Sequence, residues 1–171
     1  MFVFEQAKGN KEANYEQMLK QCEALLEGET DWLANLANTA SHLFHVLPDI
    51  NWAGYYLMKD GELVLGPFQG KPACVRIPVG KGVCGTAVAK EQTMVVEDVL
   101  AFPGHIACDA ASRSEIVIPL RIDGKIVGVL DIDSPVEKRF DQVDQKYLEA
   151  YVAIVLSHTD WSPILNGSCF A

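Results

Sequence analysis

The segment Glu115–Asp133, EIVIPLRIDGKIVGVLDID, constrains the fold of this chain more than any other stretch. Two apolar runs flank Asp123-Gly124, a residue pair that tolerates the positive φ of a tight turn, so the sequence predicts antiparallel strands over 115–122 and 125–133. Side chains alternate across a strand, so register decides which residues share a face. A two-residue Asp-Gly loop would set Glu115 opposite Ile132, whereas a three-residue loop of Ile122, Asp123 and Gly124 would set it opposite Asp131. The second register is expected. It gathers Glu115, Val117, Val129, Asp131 and Asp133 on one side and leaves Ile116, Ile118, Leu120, Ile126, Leu130 and Ile132 for the core.

Around this hairpin the other elements read in order. Tyr15, Met18, Leu19, Cys22, Leu25 and Leu26 recur at helical spacing, with Gly28 as the stop. Thr30 or Asp31 can cap a second helix, which carries Trp32, Leu33, Leu36, Ala37, Ala40, Leu43, Phe44 and Leu47 and ends at Pro48; His42 and His45 are expected at the surface or as packing residues. NWAGYYLM and ELVLGPFQG read as two strands joined at Asp60-Gly61, and a helix is expected from Gly82 to Lys90. The formal G-x-G-x-x-G at Gly80, Gly82 and Gly85 lacks the strand–helix crossover and downstream acid of a dinucleotide site. Thr93–Val96 is a short strand, Asp98–Arg113 an irregular segment, and Asp141 caps a last helix with Asp144 in its first turn. The expected fold is therefore α+β: one domain with a central antiparallel sheet of about six strands. Helices pack on one face and a loop-covered pocket lies on the other. The domain is expected to span 1–160, followed by a tail over 161–171.

Length and charge narrow the function. A chain of 171 residues with 49% hydrophobic composition supports one substantial core, and a net charge of −9 disfavours a nucleic-acid surface, which needs clustered Lys and Arg. The N-terminus has no basic region ahead of its short apolar run, and no stretch has the length of a membrane span, so a cytoplasmic protein without membrane association is expected. Five cysteines (Cys22, Cys74, Cys84, Cys108, Cys169) without a secretory signal leave redox chemistry or metal binding open. Cys22 falls in a helical stripe and reads as a core thiol, and Cys169 as a bystander. No C-x-x-C pair occurs and only His105 with Cys108 approaches ligand spacing, so no metal site is expected.

Cys108 lies in FPGHIACDAASRSEIVIP, a polar, glycine-led loop running into the strand that Glu115 opens. A cysteine there reaches solvent and its neighbours tune it, so it reads as a nucleophile. Cys84 sits near the N-terminus of the 82–90 helix, where the positive dipole end is expected to favour thiolate. Trp52 and Tyr56 share a strand face with only Gly54 between them, leaving room above the glycine; they are either core or the walls of a small apolar pocket. Glu115, Asp131 and Asp133 are either solvated strand ends or one acidic pocket face.

GPFQGKPACVRIPVGKGVCGTAVA, FPGHIACDAASRSEIVIP and GVLDIDSP together resemble the free methionine-(R)-sulfoxide reductases, a family built on a GAF domain. The resemblance implies reduction of free methionine (R)-sulfoxide to methionine by a homodimer. It implies no bound cofactor, the electrons coming from thioredoxin, which NADPH and thioredoxin reductase serve. By position Cys108 matches the nucleophile, and Cys84 and Cys74 the other redox cysteines. Trp52 and Tyr56 match residues enclosing the methylthio end, while Glu115, Asp131 and Asp133 match the acids at the sulfoxide and amino groups. Backbone N–H groups of the loop, at Ala107 and Cys108, suit the substrate carboxylate. In the expected reaction Cys108 attacks sulfur while Glu115 or Asp133 delivers a proton, and the resulting sulfenic acid condenses with Cys84 or Cys74. The rival expectation is a non-catalytic GAF module that binds a small ligand or senses thiol redox state.

Overall fold

The computed structural model describes residues 9–104 and 110–166. Ala107, Cys108 and Cys169 lie outside the described residues, so the expectations placed on them are not met or refuted by its geometry.

Side-chain caps start the three long helices. Asn10 accepts a hydrogen bond from the Ala13 amide to open α1 (Lys11–Leu26), four residues earlier than the apolar spacing alone marks, and Gly28 turns the chain at φ 77°. Asp31, rather than Thr30, caps α2 (Trp32–Val46) by accepting from Ala34. The strands follow as β1 (Trp52–Lys59), β2 (Glu62–Gly70) and β3 (Arg76–Pro78), then α3 (Gly82–Lys90), β4 (Met94–Val96), β5 (Ser114–Ile122) and β6 (Lys125–Ser134). Asp141 and Asp144 form a reciprocal capping box at the start of α4 (Gln142–His158), and a single turn, α5 (Ser162–Leu165), closes the described chain.

The six strands make one sheet in the order β3-β2-β1-β6-β5-β4, every neighbouring pair antiparallel. On one face α1, α2 and α4 bury Cys22, Leu36, Leu43, Leu148 and Tyr151 against Tyr55, Ile116, Ile118, Leu130 and Ile132. Each such aliphatic side chain stabilises the fold by about 1.5–3 kcal/mol relative to exposure. On the other face α3 packs Val83, Cys84 and Ala87 over Trp52, Tyr56, Val117 and Val129. Among the described residues no helix is long and apolar enough to cross a membrane.

The β5–β6 register differs from the one expected. The turn is the two-residue Asp123-Gly124 loop, with φ 48° and 78° and Ile122 paired to Lys125. A register shift then follows: Arg121 pairs with Ile126 but Leu120 with Gly128, leaving Val127 as an extra residue on β6. Glu115 therefore pairs with Asp133, and Val117 with Asp131. The bulge reverses the faces of the residues before it, so Ile126 packs on the α3 side, opposite to expectation, and Val127 enters the helix-side core. Beyond the bulge the expected division of faces returns. Past residue 160, Trp161 and Ile164 are buried in the helix-side core.

Two buried polar groups tie the helices together. The Asp144 carboxylate is wholly buried and accepts from Tyr15 Oη (2.5 Å), Lys11 Nζ (2.6 Å), Arg139 Nη1 (3.0 Å) and the Asp141 amide (2.7 Å), so it joins α1 to α4 and the loop before it. His42, also buried, lies 2.9 Å from Tyr151 Oη through Nδ1 and 3.0 Å from Gln21 Oε1 through Nε2. Burial lowers its pKa to about 4, with the nearby His45 adding to the effect. Removing one member of a buried charged cluster strands the others, so Asp144→Ala should cost about 3–5 kcal/mol in urea unfolding at neutral pH. A histidine whose folded pKa is depressed contributes stability that is present above its unfolded value near 6.5 and lost as pH falls toward 4. Urea midpoints measured from pH 7 to 4.5 should therefore fall more steeply for the native chain than for His42→Gln, by about 2–3 kcal/mol at the acid end.

Candidate active site

The pocket on the α3 face begins with β1. Gly54 pairs with Phe68 across the β1–β2 ladder, and a Cβ added to Gly54 would lie 2.3 Å from Phe68 Cβ and 2.7 Å from the Trp52 ring. The space above this glycine is thus occupied, contrary to expectation, because the Trp52 indole folds over it. Trp52 stacks on Phe68 at 5.2 Å between centroids and on Tyr56 at 5.9 Å, giving an aromatic wall of three rings. Two main-chain acceptors hold the wall. Trp52 Nε1 donates to the Lys71 carbonyl at 3.1 Å, and Tyr56 Oη donates to the Cys74 carbonyl at 2.9 Å.

Beside the wall, β5, β6 and α3 supply the polar groups. Glu115 pairs with Asp133, Asp133 with Trp52 and Asp131 with Gly54, so the ladders bring Glu115, Asp131 and Asp133 to one pocket face beside Trp52 and Tyr56. Glu115 and Asp131 are each only 6% exposed. Cys84 enters from the first turn of α3, and its Sγ donates to Glu115 Oε1 at 3.8 Å. Asp131 Oδ1 is buried without a hydrogen-bond partner among the described residues. Such an atom costs free energy until a donor or a cation reaches it.

Burial, and after it the charges of Asp131 and Asp133, holds the Glu115 carboxyl well above the usual carboxylate range. Burial likewise pushes Asp131 up to about 7, against lowering hydrogen bonds from Cys84 and Glu115. The two acids titrate as a pair, so at neutral pH they retain a proton between them. Burial and the same carboxylates also raise the Cys84 thiol well above its ordinary value. The helix-dipole expectation of a Cys84 thiolate is overturned here. A half-charge at a helix end cannot offset full burial beside two or three carboxylates.

The cysteines among the described residues differ in state. Cys74, half-buried in the β2–β3 connection, is disulfide-bonded, whereas Cys84 and Cys22 are free and buried. Cys22 lies in the helix-side core, as its stripe position predicts. Sequence reasoning missed Ile77, Val83 and Ser112 in the pocket lining, and Phe68, which stacks on Trp52 behind it. An unshifted ladder from the Asp60-Gly61 turn would put Gly54 opposite Pro67; the irregularity between Gly54 and Tyr56 brings Phe68 there instead.

Residues 33–155 match the GAF domain family. Protein YtsP of Bacillus subtilis is 63% identical over 88% of this chain and 94% of its own length. The free methionine-R-sulfoxide reductase of Escherichia coli is 57% identical over 89% of this chain and 94% of its own length. A free methionine-R-sulfoxide reductase structure from Neisseria meningitidis, in complex with its substrate, superposes with a TM-score of 0.89 at 48% identity, covering 92% of this chain and 95% of that one. With an aromatic wall beside buried acids on this scaffold and identity above one half to a named reductase, the chain belongs to the GAF domain family and, within it, to the free methionine-R-sulfoxide reductases.

Proposed function

We propose that this chain reduces free methionine (R)-sulfoxide to methionine, using Cys108 as nucleophile and Cys74 as the cysteine that resolves the oxidised product. The observation that carries the reading is the pocket itself, which Trp52 and Tyr56 line together with Glu115 and Asp131, a buried pair that keeps a proton at neutral pH.

A sulfoxide sulfur accepts a nucleophile poorly until its oxygen gains a proton. The wall suits the methylthio group, and the acid pair suits both the oxygen and the ammonium. Asp131 Oδ1, buried without a partner among the described residues, is an acceptor that the ammonium would satisfy. The Cys108 thiolate attacks sulfur, the sulfoxide oxygen takes a proton from the acid pair, and methionine leaves as Cys108 becomes a sulfenic acid. A second thiol condenses with that sulfenic acid, releasing water and forming a disulfide. The bonded state of Cys74 and its link to the pocket through Tyr56 favour it for this role over Cys84, whose thiol is buried and resists ionisation. A dithiol protein of the thioredoxin type, kept reduced by NADPH through its reductase, would return the pair to thiols.

The test is NADPH oxidation coupled to thioredoxin with free methionine (R)-sulfoxide, the S epimer and a sulfoxide-containing peptide. Turnover is expected with the free R epimer alone, with loss of at least about 10³-fold in Cys108→Ser. Equal turnover by that variant would sink the proposal. A second measurement follows from the acid pair. The proton it supplies is present below about 7 and lost as pH rises through the Asp131 value. The kcat/KM should accordingly fall on the alkaline side, and Asp131→Asn should lower it by about 10²-fold and remove or displace that limb.

A further inference from the structure

The acidic face also has the makings of a metal site. Cys84 Sγ, a Glu115 carboxylate oxygen and an Asp131 carboxylate oxygen all lie within 4.8 Å of one another, and all three residues are buried. They come from three elements, α3, β5 and β6, so one ion would be gripped from three directions. A tetrahedral zinc with its usual bond lengths to sulfur and oxygen sets those two ligands about 3.6 Å apart. Cys84 Sγ and Glu115 Oε1 are already 3.8 Å apart. Independently, Asp131 Oδ1 is a buried acceptor that no donor among the described residues reaches, on a residue 6% exposed that lines the same pocket.

We propose that Cys84, Glu115 and Asp131 bind a borderline-soft divalent cation of the zinc type in the reduced protein, leaving the fourth coordination position toward the pocket. The donor set selects against the abundant hard cations. A sulfur ligand and a compact site of three protein donors suit Zn²⁺ or Co²⁺, whereas Mg²⁺ requires near-octahedral oxygen coordination and keeps its waters. Binding displaces the thiol proton and the proton held by the acid pair, and both pass to solvent. The cation takes the electrostatic place assigned above to the substrate ammonium. Mutual exclusion of cation and substrate therefore rests on the proposed reductase site, whereas binding itself does not.

The spacing of the cysteines in sequence conceals such a site. Cys84, Glu115 and Asp131 form no close ligand pair along the chain. Only the two ladders and the first turn of α3 assemble them.

The experiment titrates Co²⁺, as a spectroscopic stand-in for Zn²⁺, into the full-length reduced protein with the reductant removed. One equivalent should produce a thiolate-to-cobalt charge-transfer band in the near ultraviolet and the intense visible bands of a four-coordinate ion. Zn²⁺ should bleach them and Mg²⁺ should not. The charge-transfer band should persist in Cys74→Ser and vanish in Cys84→Ser. Asp131→Asn and Glu115→Gln, which keep the thiol, should weaken binding by at least about tenfold and guard against misfolding of the cysteine variant. Absence of the band, or its survival in Cys84→Ser, overturns the site. Free methionine (R)-sulfoxide should displace the ion, and failure to do so overturns the exclusion. These spectra need no turnover, so an inactive protein that binds cobalt sinks the reductase reading alone, and an active one that shows no band sinks the cation site alone.

Discussion

The central constraint on this molecule is that β5 and β6 must be apolar on one face and acidic on the other. Ile116, Ile118, Leu130 and Ile132 anchor the helices, while Glu115, Asp131 and Asp133, displaced by a single residue each, open into the pocket. A slip of one residue in either strand would drive carboxylates into the helix-side core and expose isoleucines, so the fold and the site are specified together. The bulge at Val127 reconciles a tight Asp-Gly turn with that division.

The electrostatics follow from the same arrangement. Two carboxyls and a thiol buried side by side cannot all ionise, so the site stores protons instead of charge. Dry walls are what make this possible. Trp52, Tyr56 and Val83 line the pocket and keep the local dielectric low, which strengthens every coupling among the acids. On the helix side the opposite solution appears at Asp144. There a buried carboxylate stays satisfied because Lys11, Arg139 and Tyr15 converge on it.

Much of this was legible from residue pattern. Helices, hairpins and the six-strand sheet followed from period and punctuation, because Asp31, Asp141, Asp60-Gly61 and Asp123-Gly124 act through neighbours a few residues away. What escaped was non-local. Both hairpins carry a register irregularity, at Gly54–Tyr56 and at Leu120–Arg121, which no dipeptide announces. That is why Phe68 and the side reversal of Ile126 were invisible, and why the Glu115–Asp133 pairing had to be seen. The Cys84 thiol was misjudged for a related reason. A helix N-terminus is readable from glycines, whereas the carboxylates that overrule it arrive from thirty or more residues away.

The close contact at Gly54 has a further consequence. Since Phe68 and the Trp52 ring leave no place for even a methyl group there, the aromatic wall rests directly on the strand at this glycine. A wall seated this way arrives already formed. The hydrogen bonds from Trp52 to Lys71 and from Tyr56 to Cys74 are in place, so little conformational entropy would remain to be lost by these two rings were a ligand to settle against them. The same close seating limits adaptation: a side chain at residue 54 could be admitted only if β1 and β2 parted.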